Sequence, residues 1–214
     1  MEDFIVAIDG PAGSGKSSIS KIVAKRCNLN HVDTGAMFRT ITLEALNRNI
    51  NLDDEKEINF LDEIDIKFDG AKVLLNGKDV SVDIRKDIVS NNASKIAKIQ
   101  KVRDKVLELE KNFHGRIIMD GRDIGTVVYP NANLKIFLTA SAEQRALRRV
   151  KQNDELGIKS DYNAILEEIK QRDINDSTRK IAPLRCAEDA IKIDTTSLSI
   201  EEVCNKIVNL INER

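Results

Sequence analysis

The sequence is poor in the features that mark several protein classes. Its 214 residues include only 3 cysteines and 2 histidines. No run approaches the roughly 20 consecutive apolar residues of a membrane-spanning helix, and the N-terminus has no signal-peptide pattern. The cysteines Cys27, Cys186 and Cys204 are far apart and form neither a disulfide framework nor a zinc-binding spacing. These absences predict a cytoplasmic protein with no membrane partner.

The net charge argues against a protein that coats nucleic acid, and the missing catalytic motifs leave a hydrolase without support. Lys and Arg total 34 against 35 Asp and Glu, a net charge of −1, whereas proteins that coat a duplex are usually basic, so we expect no nucleic-acid partner. His31 and His114 have no spacing that indicates a metal site or a triad, and no serine lies in a G-x-S-x-G elbow. Hydrophobic residues still make up 41% of the chain, enough for a core.

Apolar runs predict a parallel sheet with helices on both faces. Phe4–Ile8 is continuously apolar and is followed by a glycine-rich turn and by helical spacing within Ser17–Cys27. Similar runs recur at 117–119, 134–138 and 190–193, and a short strand near Leu29–Val32 precedes a helix over about 36–48. The final helix opens with Ser199 and Glu202 in capping-box spacing. The expected fold is a three-layer α/β fold.

A different pattern interrupts that core between residues 61 and 115. Apolar and charged residues alternate around Asp69-Gly70 and Asn76-Gly77, which predicts a three-stranded antiparallel meander. Helices are expected at 84–97 and 101–113. We therefore predict a small α+β insertion, 61–115, within a core formed by 1–60 and 116–214. The polar stretch Lys151–Ser160 is either a flexible cover or an ordinary solvated connection.

The glycine-rich turn carries the strongest chemical signal. The P-loop pattern G-x-x-x-x-G-K-[ST] is matched in full by Gly10, Pro11, Ala12, Gly13, Ser14, Gly15, Lys16 and Ser17. In this pattern the backbone N–H groups cradle phosphates, the lysine reaches the β- and γ-phosphates, and the hydroxyl ligates Mg²⁺. An apolar strand before it and an amphipathic helix after it supply the required context.

Charged residues at a second strand end fit phosphoryl transfer. Asp120 ends the apolar run Ile117–Met119, like a Walker-B carboxylate that holds the Mg²⁺ shell. It could instead simply start the next turn, and the cluster Asp120-Gly121-Arg122-Asp123 could divide the roles differently. Arginine matches phosphate oxygens, and phosphoryl transfer needs mainly positioning and charge neutralisation. The candidate arginines are Arg39, Arg122, Arg172 and Arg179. The cluster Arg145, Arg148 and Arg149 is either a polar surface or a cover for ATP.

The chain resembles the bacterial type of cytidylate (CMP) kinase. The matching segments are 8–18, 33–39, 75–80, 120–128, 137–141 and 172–184. A P-loop alone is shared by many enzymes, but GRDIGTVV at 121–128 and LNGKDV at 75–80 are far more specific. The resemblance implies transfer from ATP to CMP or dCMP with Mg²⁺, by a monomer with a P-loop core, an acceptor-binding insertion at 61–115 and a mobile lid at about 150–161.

The resemblance also implies residue roles. The implied ATP contacts are the P-loop residues from Gly10 to Ser18, and Ser17 and Asp120 would serve Mg²⁺. The implied catalytic residues are Lys16, Arg39, Arg122 and Arg179. The implied CMP contacts are Ser94, Arg103 and Asp123 for the base, Arg172 and Asp176 for the sugar, and Arg39, Arg122 and Arg179 with Thr34 for the phosphate. One departure is Phe38, where the family usually has tyrosine.

Asp123 has a physical reason to select cytosine. An ionised carboxylate accepts from the cytosine amino group but faces the uracil carbonyl oxygen with like polarity, and such a mismatch can reject an analogue by roughly 10⁴-fold. Two rivals remain: a P-loop kinase for another monophosphate or an alcohol, and a nucleotide-dependent switch. The chain lacks the guanine-reading motif N-K-x-D that a GTP-dependent switch would carry, because Asn205-Lys206 is followed by Ile207-Val208.

Overall fold

The computed structural model describes residues 3–70, 72–155 and 157–214 and divides into two compact units. The first contains the chain up to Val32 and from Phe113 onward, and the second is Asp33–Asn112. These units are defined by compactness, whereas the predicted insertion at 61–115 is a functional division, which stays a prediction. Along the chain the elements are β1 (Phe4–Asp9), α1 (Lys16–Cys27), β2 (Asn30–Asp33), α2 (Thr34–Asn47), β3 (Ile66–Asp69), β4 (Lys72–Leu75), β5 (Lys78–Asp79), α3 (Asp87–Ile96), α4 (Gln100–Glu110), β6 (Arg116–Gly121), β7 (Leu134–Thr139), α5 (Ala142–Glu155), α6 (Tyr162–Thr178), β8 (Ile191–Asp194) and α7 (Ile200–Asn212).

A five-stranded sheet organises the first unit, in the order β2-β6-β1-β7-β8. β1 pairs in parallel with β6 and with β7, and β7 pairs in parallel with β8. Every residue of β1 after Phe4 is buried, as expected of a strand covered on both faces. The predicted α/β fold with a mostly parallel sheet is confirmed.

Helices α1 and α7 cover the core of this sheet. Val6 and Ile8 of β1 pack in one cluster with Ile19 and Val23 of α1 and with α7. The predicted capping box begins α7: Ser199 Oγ accepts from the Glu202 N–H at 3.2 Å, and Glu202 Oε2 accepts from the Ser199 N–H at 2.8 Å. This prediction is confirmed, and the cap holds α7 at the residue where the packing begins.

The second unit contains the predicted meander, in the order β3-β4-β5. Leu75 pairs with Lys78 across Asn76 and Gly77, whose φ angles of 49° and 79° are those of a type I′ hairpin turn. The other turn passes Gly70 and then Ala71, which lies outside the described residues. The antiparallel prediction is confirmed by both strand pairings.

The helices of the second unit are shorter than predicted. The expected helix at 84–97 is α3 alone, preceded by a 3-10 turn at Asp83–Arg85, and the expected helix at 101–113 is α4. Lys86 is extended (φ −58°, ψ 143°), so the chain leaves the 3-10 turn before α3 starts. Both helices pack against α2.

The polar stretch at 151–160 is partly helical. Helix α5 continues to Glu155, and α6 starts after Asp161, whose carboxylate accepts from the Ala164 N–H at 2.9 Å. Leu156, within the predicted lid at 150–161, lies outside the described residues. Within the parts of the chain that the structure describes, none of the helices combines the length and apolar character needed to cross a membrane.

Candidate active site

The glycine-rich turn connects the carboxyl end of β1 to the N-terminus of α1. Gly10, Gly13 and Gly15 have φ angles of 149°, 74° and 90°, in the region that favours glycine. A Cβ on Gly10 would lie 2.0 Å from the carbonyl oxygen of Leu138, so a side chain does not fit there. Helix α1 begins at Lys16 with no acidic residue in its first turn. The turn therefore leads into a helix N-terminus that favours an anion.

Lys16 lies over this turn with its ammonium buried. Its Nζ donates to the Pro11 carbonyl oxygen at 2.7 Å and lies 3.5 Å from Ser14 Oγ. Burial, and after it the positive charge of Arg122, hold the pKa of Lys16 well below its usual range, against the opposing effect of Asp120 and other carboxylates. An anionic ligand would stabilise this ammonium, because it would offset both the burial and the nearby guanidinium.

Arg145 of α5 supports the turn from the side. Its Nη1 donates to the Ala12 carbonyl oxygen at 3.0 Å, and its guanidinium pairs with both carboxylate oxygens of Asp173 on α6, at 3.0 and 2.5 Å. Arg145 is 4% exposed, so it is not part of a polar surface. It also packs 3.3 Å from the position a Cβ of Gly13 would take. The two helices that flank the predicted lid are thus joined to the P-loop.

Asp120 lies at the carboxyl end of β6 in contact with His31. Its Oδ1 is 2.5 Å from His31 Nε2, and the two side chains are 6% and 14% exposed. β2, which carries His31, is the neighbour of β6 in the sheet. The sequence did not predict this contact, because the two residues are 89 positions apart.

Asp9, the residue before Gly10, is a second buried carboxylate at this edge of the sheet. Its Oδ1 accepts from the Ile124 N–H and its Oδ2 from the Gly125 N–H, both at 2.8 Å. Burial raises the pKa of Asp9 to about 6, although both N–H groups act to lower it. Our sequence interpretation missed Asp9, and its only signal was a carboxylate between an apolar strand and the first P-loop glycine.

Four of the predicted acceptor residues form two ion pairs, one part-buried and one buried. Arg122 Nε donates to Asp176 Oδ2 at 2.8 Å, and Arg179 Nη2 lies 3.2 Å from Asp123 Oδ1. Despite its burial, the pKa of Asp176 is lowered by Arg122, Arg172 and Arg179. The turn after β6 and the end of α6 therefore bring these predicted residues together, as the motif spacing alone could not show.

In the second unit, Arg39 is held by the residue that caps its own helix. Asp33 Oδ1 accepts from the Ala36 N–H at 3.1 Å, and Asp33 Oδ2 accepts from Arg39 Nη2 at 2.9 Å. A Cβ on Gly35 would come within 2.9 Å of the Arg39 guanidinium, so glycine leaves room for the pair. Thr34, also predicted at the acceptor, is 3% exposed.

The other predicted residues of this unit lie on α3 and α4. Arg103 is 8% exposed, donates to the Ala97 carbonyl oxygen at 3.3 Å and stacks over the ring of Phe38 at 5.5 Å. The phenylalanine at that position thus keeps an aromatic face for the guanidinium. Ser94 Oγ lies 3.5 Å from the Asn91 carbonyl oxygen.

No protein cage for a metal ion is formed by the described residues. Residues 3–70, 72–155 and 157–214 contain no cluster of three or more His, Cys, Asp or Glu side chains placed to hold a metal. Mg²⁺ in kinases is typically held by one or two carboxylates together with substrate phosphates. Asp120, buried at the strand end beside the P-loop strand, fits that simpler donor set.

Comparisons with known proteins give a consistent result. The family described as Cytidylate kinase matches residues 6–213. The chain is 52% identical over 217 residues to a cytidylate kinase of Caldicellulosiruptor saccharolyticus, covering 98% of this chain and 96% of that protein. It is 50% identical to a cytidylate kinase of Fusobacterium nucleatum, covering 97% and 96%.

A solved structure supports the fold. The structure of an uncharacterized protein from Eubacterium ventriosum matches with a TM-score of 0.53 and 14% identity, over 99% of each chain. At that identity the likeness concerns the fold alone.

Proposed function

The chain belongs to the cytidylate kinase family, and from that premise we propose that it transfers the γ-phosphoryl group of ATP to CMP or dCMP, forming ADP and CDP or dCDP. One observation carries the proposal: the buried Lys16 ammonium at the N-terminus of α1, in a turn whose glycines allow close approach. That arrangement favours a polyphosphate.

The donor end of the reaction follows from the P-loop. Residues 10–18 supply backbone N–H groups and the helix N-terminus, and Lys16 would exchange its contact with the Pro11 carbonyl oxygen for the β- and γ-phosphates. Arg145 keeps the turn in place through Ala12. It positions the loop and need not contact ATP.

Mg²⁺ would be held by the Ser17 hydroxyl and Asp120 together with phosphate oxygens. When bound, the ion neutralises charge on the transferred group. The role of Ser17 and Asp120 stays a prediction, supported by the buried position of Asp120 near the carboxyl end of β6.

For the acceptor, the first unit supplies an assembled set of charges. Arg122 and Arg179 are predicted at the CMP phosphate, Arg172 and Asp176 at the sugar, and Asp123 at the base. The pairs Arg122–Asp176 and Arg179–Asp123 support the roles of these four residues, because a guanidinium held by a buried carboxylate is fixed before the substrate binds.

The residues of the second unit stay predictions from the family resemblance. Ser94 and Arg103 are assigned to the base, and Arg39 with Thr34 to the acceptor phosphate. The acceptor insertion at 61–115 and the lid at about 150–161 are likewise predictions from the family resemblance. The buried guanidinium of Arg103 and the Asp33–Arg39 pair support the roles of these two arginines, since contacts within the protein already hold both guanidinium groups.

The chemistry requires positioning more than acid–base catalysis. The phosphate oxygen of CMP is largely ionised near neutral pH, because the second pKa of a phosphate monoester is about 6, so it can attack the γ-phosphorus in line without a protein base. Lys16 and the arginines stabilise the charge that develops on the transferred group. Closure of the lid would exclude water and so limit hydrolysis of ATP.

An acceptor panel tests this function. ADP release is measured with CMP, dCMP, UMP and AMP side by side at fixed MgATP. We expect CMP and dCMP to be used best, with UMP and AMP at least roughly tenfold lower in kcat/KM. Preference for AMP, or no release with any of the four, would contradict the proposal.

The cellular setting is also proposed. We infer a monomer, as the family resemblance implies. We also infer that it works in the cytoplasm, and its three free cysteines support this, as expected of a reducing compartment. Size-exclusion chromatography with light scattering tests the monomer.

A further inference from the structure

The turn that carries Asp123 has an unusual cap. Residues Ile124–Val128 form a π-helical turn, and the Asp123 carbonyl oxygen accepts from the N–H groups of Val127 at 2.8 Å and Val128 at 3.2 Å. The first N–H groups of a helical turn have no partner within it. Here those of Ile124 and Gly125 donate to the two carboxylate oxygens of Asp9, each at 2.8 Å.

Asp123 itself does not cap this turn. It occupies the N-cap position, where an aspartate commonly accepts from the first N–H groups of its own helix, yet it makes no such side-chain bond. Its Oδ1 instead lies 3.2 Å from Arg179 Nη2. Asp9 thus takes the capping role from the neighbouring strand, and the Asp123 carboxylate is directed elsewhere.

We propose that Asp9 is a positioning residue for base selection, which holds the Asp123 carboxylate in place by capping the 124–128 turn. This inference rests on the proposed function, in which Asp123 accepts from the cytosine amino group. Asp9 directly precedes Gly10, so the strand end that leads into the P-loop also sets the geometry of the specificity turn.

The 124–128 turn packs closely against Asp9 and Lys135. A Cβ on Gly125 would lie 3.2 Å from Lys135 Cδ and 3.4 Å from Asp9 Oδ2. Lys135 is itself held, with Nζ 2.8 Å from Asp189 Oδ2. The turn therefore lies in close contact with both Lys135 of β7 and the Asp9 carboxylate, so we expect a substitution of either residue to move it.

A carboxylate is required because the turn presents two donors. An asparagine has one acceptor oxygen, so its NH₂ group would face the second N–H without forming a bond. Burial also disfavours the ionised carboxylate and raises the pKa of Asp9. A costly buried charge is retained here where it satisfies two N–H groups at once.

The test compares acceptor selectivity in Asp9→Asn and in the wild-type enzyme. The measured quantity is the ratio of kcat/KM for CMP to that for UMP, together with the KM for ATP and the thermal midpoint. We expect the ratio to fall about tenfold or more, since small displacements of a recognition group can cost up to about 100-fold. The KM for ATP should change by less than about threefold.

Two further variants make the result specific. Asp3→Asn is the matched control, because Asp3 Oδ1 accepts from the Gly115 N–H at 2.6 Å beside the opposite end of β1, and it should leave the ratio unchanged. Gly125→Ala keeps Asp9 but pushes the turn away from it, so it should lower the ratio in the same direction by a smaller factor. It also provides the test if Asp9→Asn does not fold.

Asp123→Asn separates this inference from the proposed function. If the wild-type enzyme shows no preference for CMP, or if Asp123→Asn leaves the preference intact, base reading by Asp123 is wrong and the role of Asp9 is wrong with it. If Asp123→Asn lowers the ratio while Asp9→Asn and Gly125→Ala leave it within about twofold of wild type, the capping role alone is refuted, whatever the change in thermal midpoint.

Discussion

The two ends of β1 carry the same kind of interaction with opposite electrostatic results. Just before the strand, the Asp3 carboxylate accepts from the Gly115 N–H, and this bond lowers its pKa because it stabilises the anion. The side chain is 45% exposed, so desolvation opposes this only weakly. At the other end, Asp9 accepts from two N–H groups, yet burial raises its pKa to about 6. Burial therefore outweighs two good hydrogen bonds.

The difference distinguishes the amino end of β1, where Asp3 has a structural role, from its carboxyl end, where the candidate active site lies. We call this second end the chemical end of the sheet. Carboxyl ends of parallel strands are where ligands bind in open α/β sheets. That end holds Asp9, Lys16, Asp120 and Arg122, all with little exposure to solvent. The pKa of Asp9 is raised and that of Lys16 is lowered, so both shifts favour the neutral form of the side chain. Such shifts cluster at functional sites.

Removing the ammonium from the chemical end should give the largest effect. We expect Lys16→Ala to lower kcat for CMP by roughly 10³-fold or more, because the charge that develops on the transferred phosphoryl group loses its nearest cation. The thermal midpoint should not fall, since the variant no longer buries a charge. Steady-state kinetics and thermal unfolding measure the two effects.

Lys21→Ala is the matched control, because Lys21 lies exposed on the same helix. Turnover of Lys16→Ala within about tenfold of wild type would contradict the assignment of Lys16.

The effect of Asp9 on stability should be smaller and should depend on pH. The folded-state pKa of Asp9 is about 6 against 3.8 for the ordinary carboxyl, so the folded state binds the extra proton between these values. Stability of the wild-type protein should therefore fall, relative to Asp9→Asn, as pH rises through this window, by on the order of 3 kcal/mol. Denaturant unfolding of both proteins at a series of pH values measures the difference. A constant difference across the window would show that Asp9 is not buried as described.

Asp3→Asn should give the smallest effect, with the opposite sign. The folded-state pKa of Asp3 is lowered by its bond to the Gly115 N–H, so its contribution to stability is present above the ordinary pKa and is lost as pH falls below it. Relative to Asp3→Asn, the wild-type protein should gain slightly as pH rises through about 4. The same unfolding series measures it, and a slope of the same sign as for Asp9→Asn would break the comparison.

Local signals in the sequence predicted much of the fold. The hairpin at Asn76-Gly77 and the capping box at Ser199 and Glu202 were predicted correctly, because each depends on a few adjacent residues. The exact start of α3 was not, since the extended conformation of Lys86 has no comparable signature. The P-loop was recognised from its spacing and context.

Such local signals could not predict which residues contact the buried charged side chains. Asp9 caps a turn 115 positions away, and Arg145 reaches a P-loop carbonyl 133 positions away. The spacing of Arg145, Arg148 and Arg149 was equally compatible with a polar surface, and only the packing of α5 showed that Arg145 is buried.

The sequence by itself determined the type of fold, the phosphate-binding turn and the family, because strand and helix periodicity and a contiguous motif are local properties of the chain. The tertiary structure decided which carboxylate faces which donor at the carboxyl ends of β1 and β6, and how far burial shifts the pKa values of Asp9 and Lys16. The reason is physical: desolvation and ion pairing depend on distances between residues far apart in the chain, which exist only once the sheet has formed.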